Sequence, residues 1–149
     1  MAVTVYPTGT TIYEPGKCWN GFNVLSVLGA DTNLIDMNGR VVKTWKGISG
    51  FPNKVLPGGH LMGSTGARNK KYGFQDQLNV VQVDWNGEIV WRFDRAELIS
   101  DPGEAPRWMA RQHHDYQREG NPVGYYAPGM EPLTTGGKTT MLTHTNVAS

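Results

Sequence analysis

Two stretches of this sequence share one build, and that repetition limits the folds open to the chain more than any other feature. "NLIDMNGRVVKTW" (33–45) and "VVQVDWNGEIVWRF" (80–93) each set two apolar runs around an Asp-x-Asn-Gly turn and close on an aromatic residue. Asp36 aligns with Asp84, and Gly39 with Gly87. Alternating runs joined across Asn-Gly predict a β-hairpin with a type I′ turn, whose positive φ angles match strand twist. A second hairpin type follows each of the first. "NKVLPGGHLMGS" turns at Gly58-Gly59 and "HDYQREGNPVGYY" at Glu119-Gly120-Asn121. Aligning Gly59 with Gly120 brings Pro52 into correspondence with His113, and Asn53 with His114.

The glycines and prolines (19 and 9) interrupt the chain every few residues, and no long helical periodicity survives between them. The expected class is therefore all-β. A four-stranded antiparallel unit recurring about every 40–50 residues is the sequence form of a β-propeller blade. Counted outward from a central channel, "FPNKVLP", "HLMGST", "QLNVVQVD" and "EIVWRF" make one whole blade. "GFNVLSV" is a second strand of the blade before it. "ARQHHDYQ" is the innermost strand of the blade after, with "PVGYY" or "KTTMLTHTN" beside it. The chain (1–149) is read as one partial propeller domain, with blade-like repeats around 21–45, 51–93 and 110–146. Propellers generally close with four or more blades, and an open arc leaves sheet edges and faces uncovered. The expected partner is a second polypeptide that supplies the remaining blades, with a ring of copies as the other solution.

Composition narrows the function. A formal charge of +1 with 18% charged residues, and no basic block, argues against nucleic acid or an anionic membrane as partner. The lone Cys18 excludes an intrachain disulfide and a cysteine-based metal site. The N-terminal stretch "MAVTVYPTGTTIYEPG" has no charged-then-apolar leader, and no apolar run reaches membrane length, so a cytoplasmic location is expected. No HxH or HExxH spacing occurs, and Gly136-Gly137 lie in a loop without a phosphate-cradle pattern. Neither a cofactor nor a metal is expected.

The combination "LIDMNGRVVKTW", "VLPGGHLM", "VVQVDWNGEIVWRF" and "HHDYQREGN" resembles the arylsulfotransferase-like β-propellers, in their signal-less branch, over about residues 8–146. It corresponds to the N-terminal part of such a protein. The resemblance implies a six-bladed ring with its site at the channel mouth. It implies transfer of a sulfuryl group from a phenolic sulfate to another phenol through a transiently sulfated histidine. Further histidines and an arginine hold the sulfuryl oxygens, and the family's nucleophilic histidine falls later than this chain reaches. A hydrolase or lyase reusing the same pocket is a variant. A non-catalytic binding or scaffolding propeller subunit is the rival.

The candidate site is the strand "ARQHHDYQ". Strict alternation puts Arg111, His113 and Asp115 on one face, and Gln112, His114 and Tyr116 on the other. The corresponding strand of the earlier repeat reads Pro52-Asn53-Lys54, so the histidine pair is specific to one blade. Histidine serves as nucleophile or general base near neutral pH. Arginine grips a sulfate, carboxylate or phenolate oxygen through paired hydrogen bonds. An aspartate on one ring nitrogen fixes the tautomer. The candidates are His114 first, then His113, with Arg111 and Asp115, and His144 in "LTHTN". His60 is read as a turn residue. Trp45 and Trp91 are read as packing anchors on matching strands. Trp108, Tyr125 and Tyr126 either pack or line a pocket for a small aromatic or anionic substrate.

Overall fold

The computed structural model describes residues 10–26, 29–66, 78–100, 102–110, 112–119 and 129–143. Among the described residues the chain is all-β. Its strands are β1 (Phe22–Leu25), β2 (Thr32–Asp36), β3 (Val41–Trp45), β4 (Ser49–Val55), β5 (Leu61–Ser64), β6 (Val80–Val83), β7 (Ile89–Phe93), β8 (Ala96–Ile99), β9 (Arg107–Ala110), β10 (Gln112–Arg118) and β11 (Thr139–Thr143). They form antiparallel sheets in the orders β1-β2-β3, β4-β5-β6-β7, β8-β9 and β10-β11. No helix among the described residues is long and apolar enough to cross a membrane.

The four-stranded sheet is the whole unit expected from the sequence, strand for strand. Its centre departs from the usual antiparallel pattern of one wet and one dry face. Every residue of β5 and β6 is buried, because a separate apolar cluster lies on each side. Trp45, Ile48, Leu61, Val81 and Val83 form one cluster, with Val24, Leu34 and Val55 packed on it. Leu56, Met62, Val80 and Tyr116 form the other, with Trp91 and Met141 against it. The β1-β2-β3 sheet therefore covers one face of the central sheet, and β10-β11 covers the other.

The two Asp-x-Asn-Gly hairpins form, but with a different turn. A type I′ turn needs positive φ at both central residues. Here only the glycines have it, Gly39 at 79° and Gly87 at 95°. The Gly39 and Gly87 amides donate to the Asp36 and Asp84 carbonyls at 3.0 and 3.1 Å. The pairing slips by a residue beside each turn, between Leu34 and Ile35 and between Gln82 and Val83. This is a type I turn followed by a left-handed glycine bulge. The aspartates explain the choice. Asp36 Oδ1 accepts from the Asn38 and Arg40 amides, both at 2.9 Å, and Asp84 Oδ1 from the Glu88 amide at 2.8 Å. Burial alone would raise the Asp84 carboxyl, but the Glu88, Asn86 and Gly87 amides outweigh it and hold the group below its ordinary value.

The register also revises the tryptophan pair. Thr32 faces Trp45 and Val80 faces Phe93, so Phe93 is the counterpart of Trp45, and Trp91 that of Lys43. Trp45 is buried, donates its indole N–H to the Asp84 carbonyl at 3.0 Å, and meets Trp85 edge-on at 5.7 Å. One hairpin is thereby tied to the next.

The β8-β9 hairpin was not expected. It lies between β7 and β10, where the earlier repeat passes from β3 to β4 almost directly. This insertion explains why the Gly-turn hairpins recur at about 61 residues while the Asp-x-Asn-Gly hairpins recur at about 48.

Because a Cβ at Gly87 meets nothing within 4 Å, only its backbone conformation resists substitution. Gly87→Ala is expected to lower the unfolding free energy by about 1–2 kcal/mol, and Asn86→Ala to change it by less than about 0.5 kcal/mol. Urea titration separates the two. An Asn86→Ala loss as large as the glycine loss would contradict the turn assignment.

Candidate functional site

Both seven-residue strands, β4 and β10, leave regular pairing partway along. In β4 the register shifts between Ser49 and Lys54, and in β10 between His113 and Tyr116. The irregular segments overlap at the positions aligned by the repeat, Asn53 and His114. The strict alternation expected for β10 fails for this reason. Gln112 and Tyr116 are buried, while His114 and Asp115, carried on the bulge, are both exposed.

His114 is the one non-glycine residue with positive φ among the described residues, at 56°. Left-handed backbone costs an L-residue roughly 1–2 kcal/mol, and glycine or asparagine takes it more readily. Asp115 lies on the bulge and not in an evenly alternating run. Its carboxylate forms an ion pair with Lys54 at 2.8 Å and accepts from the Tyr116 amide at 2.8 Å. The Lys54 hydrogen bond is the main cause holding the Asp115 carboxyl below its ordinary value. Lys54 also donates to the Tyr116 carbonyl, and its ammonium lies 5.3 Å from the Tyr116 ring centre. The Tyr116 hydroxyl donates to the Pro52 carbonyl, with the Met62 carbonyl at 3.2 Å. Burial drives the Tyr116 phenol far above its ordinary range. It is a neutral donor at any physiological pH.

The candidate residues thus divide. The structure brings Asp115 and Tyr116 together with Lys54 where β10 meets β4, and His114 precedes them, exposed on the bulge. The backbone of His113 pairs with Leu142 in β11, but its side chain lies outside the described residues. So do Arg111, His144, Tyr125 and Tyr126, and the segment "PVGYY". The strand beside β10 is the one within "KTTMLTHTN". Trp108 is an exposed residue of β9 opposite Leu98. Among the described residues, no group of three or more histidine, cysteine, aspartate or glutamate side chains gathers as a metal site would require.

Two polar features escaped the sequence reading. His60 does follow the Gly58-Gly59 turn, but it is half-buried, and its Nδ1 lies 3.2 Å from the Gln82 side-chain nitrogen. That amide is a donor, so Nδ1 accepts. Burial lowers the His60 pKa, against Asp84 and Glu131, which would raise it. Gln82 is fully buried, and its Oε1 has no partner among the described residues. Arg118 is also buried. It donates to the Leu133 carbonyl, the Thr139 hydroxyl and the Gly136 carbonyl at 3.0–3.3 Å, and lies 4.6 Å from the Trp91 ring centre. Burial lowers its pKa. Gly136 thus belongs to a loop held by an arginine. A single arginine with no aligned partner gave no sequence signal for this clamp.

No family model, curated protein or solved structure matches the chain.

The Asp115 pairing has a definite pH signature. Its folded pKa is lowered, so its stabilisation is present above the ordinary carboxylate value, about 3.9, and is lost as the pH falls through the folded value. The urea midpoint should drop on acidification through that window, and Asp115→Asn should make the drop shallower. An identical pH profile in the variant would contradict the assignment.

Proposed function

We propose that this chain is part of an arylsulfotransferase-like β-propeller completed by a second polypeptide. In this reading β4 and β10 are innermost strands bordering a central channel, and His114 handles a small aromatic or anionic substrate at its mouth. The observation that carries the reading is the left-handed backbone of His114, exposed on a bulge. Such outliers persist where the surroundings enforce them, and they concentrate at functional sites. A turn with no task would be filled more stably by glycine. The propeller itself is supported by the stacking of successive sheets on both faces of β4-β5-β6-β7, and by irregular inner strands at matching repeat positions.

The concrete reaction is sulfuryl transfer. An imidazole nitrogen attacks the sulfur of an aryl sulfate, the S–O bond to the aryl oxygen breaks, and the phenolate leaves. The oxygen of a second phenol then attacks the sulfur, the S–N bond breaks, and the phenol proton returns to the imidazole. By the resemblance the attacking imidazole belongs to the completing polypeptide, and His114, His113 and His144 are the imidazoles this reading assigns to the channel mouth from this chain. Arg111 is placed in sequence to hold sulfuryl oxygens. Lys54 adds positive charge beside Asp115. Hydrolysis or elimination on a related anionic substrate would use the same groups. One observation favours the rival reading, a binding or scaffolding subunit: Asp115 is engaged by Lys54 at a junction between strands.

His114→Gly separates these readings, because it removes the imidazole and relieves the backbone. In the assembled particle, with 4-nitrophenyl sulfate as donor and phenol as acceptor, turnover should fall at least about 100-fold. Stability should hold or rise by up to about 1 kcal/mol. Unchanged turnover per folded particle would contradict a catalytic His114.

A further inference from the structure

We propose that the outer edge of β1, with the groove beside it, receives one extended strand of the completing polypeptide. The inference rests on the part-propeller reading above and says where the partner engages. Among the described residues β1 pairs with β2 alone. Beside it lies a groove of about 1000 Å³, whose walls include Phe22, Val24, Leu34, Lys54, Val55 and Trp85. An open strand edge carries unpaired amide and carbonyl groups, and an added strand satisfies them through its own main chain.

Two internal comparisons point independently at this space. The first runs within a sheet. Val24 pairs with Leu34 and Met62 with Gln82, and Leu34 aligns with Gln82 in the repeat, so Val24 corresponds to Met62. Met62 has Lys54 of β4 on its other side. The position beside Val24 is therefore where a strand equivalent to β4 belongs. The second comparison runs between sheets. Asp115 and Tyr116 of β10 meet β4, through the Lys54 ion pair and the Pro52 carbonyl. Their counterparts in β4 are Lys54 and Val55, and both line the groove. Val55 packs on the first apolar cluster as Tyr116 packs in the second.

The occupant follows from the walls. It is a peptide strand, because one side of the site is a main-chain edge. Its groove-facing side chains are apolar, because Val24, Leu34 and Val55 lie there. Its counterparts in the repeat, β4 and β10, each run for seven residues, which sets the length it would match.

Phe22 is exposed at the mouth of this groove and serves as the reporter. The test is Phe22→p-benzoylphenylalanine in the particle assembled with its partner, irradiated and mapped by peptide mass spectrometry. The same probe at exposed Leu142 of β11 is the control. The expected product joins position 22 to an apolar extended segment of the second polypeptide, distinct from any segment reached from position 142. A crosslink only to residues 1–9 of the same chain, only to a second copy, or to nothing in a particle that retains its partner would overturn the inference. If His114→Gly still abolishes turnover in that particle, the functional reading stands without it. A particle holding no second polypeptide removes this inference together with the part-propeller reading.

Discussion

Burial of β5 and β6 on both faces is the constraint on which the rest of the molecule depends. Polar residues in these strands have to find partners inside. Ser64 is bonded to the Asn79 side chain and the Gly66 carbonyl, and Gln82 to His60. The apolar residues need a second layer on each side, and the chain supplies it from opposite directions in sequence, β1-β3 before and β10-β11 after. Burial of residues such as Leu61 and Met62 is worth roughly 1.5–3 kcal/mol each, more than a surface ion pair contributes. The stack is therefore set by apolar contact, and the polar links between sheets fix its register.

Those links fall at distinct levels. Trp45 on the Asp84 carbonyl ties the first sheet to the central one, and Arg118 over Trp91 ties the last sheet to it. Between β4 and β10, Tyr116 and Lys54 fasten one strand to the next. Leu25 and Val41 of the first sheet and Leu142 of the last are exposed, and under the proposed part-propeller these faces take a further layer.

The strand pairing was legible because its signals are local. Asp-x-Asn-Gly, Gly58-Gly59 and the alternating runs marked every strand of the central sheet. Three things were not legible, for physical reasons. Asn-Gly favours a type I′ turn, but the aspartate two residues before the asparagine captures backbone amides and stabilises a type I turn with a glycine bulge. The alternation of β10 fails because His114 takes a left-handed conformation that composition does not mark. The β8-β9 hairpin pairs Leu98 with Trp108 and Ile99 with Arg107 across a connection lacking an Asn-Gly signal. Among the site candidates, Asp115 meets Lys54, and that contact was hidden because it crosses between repeats about 61 residues apart.

The proposal that these stacked sheets are an arc of a larger ring is tested by native mass spectrometry of the purified particle, followed by denaturing mass of its components. The account predicts a stoichiometric complex of this 16.5 kDa chain with a second polypeptide. A stable monomer at the mass of this chain alone would contradict it.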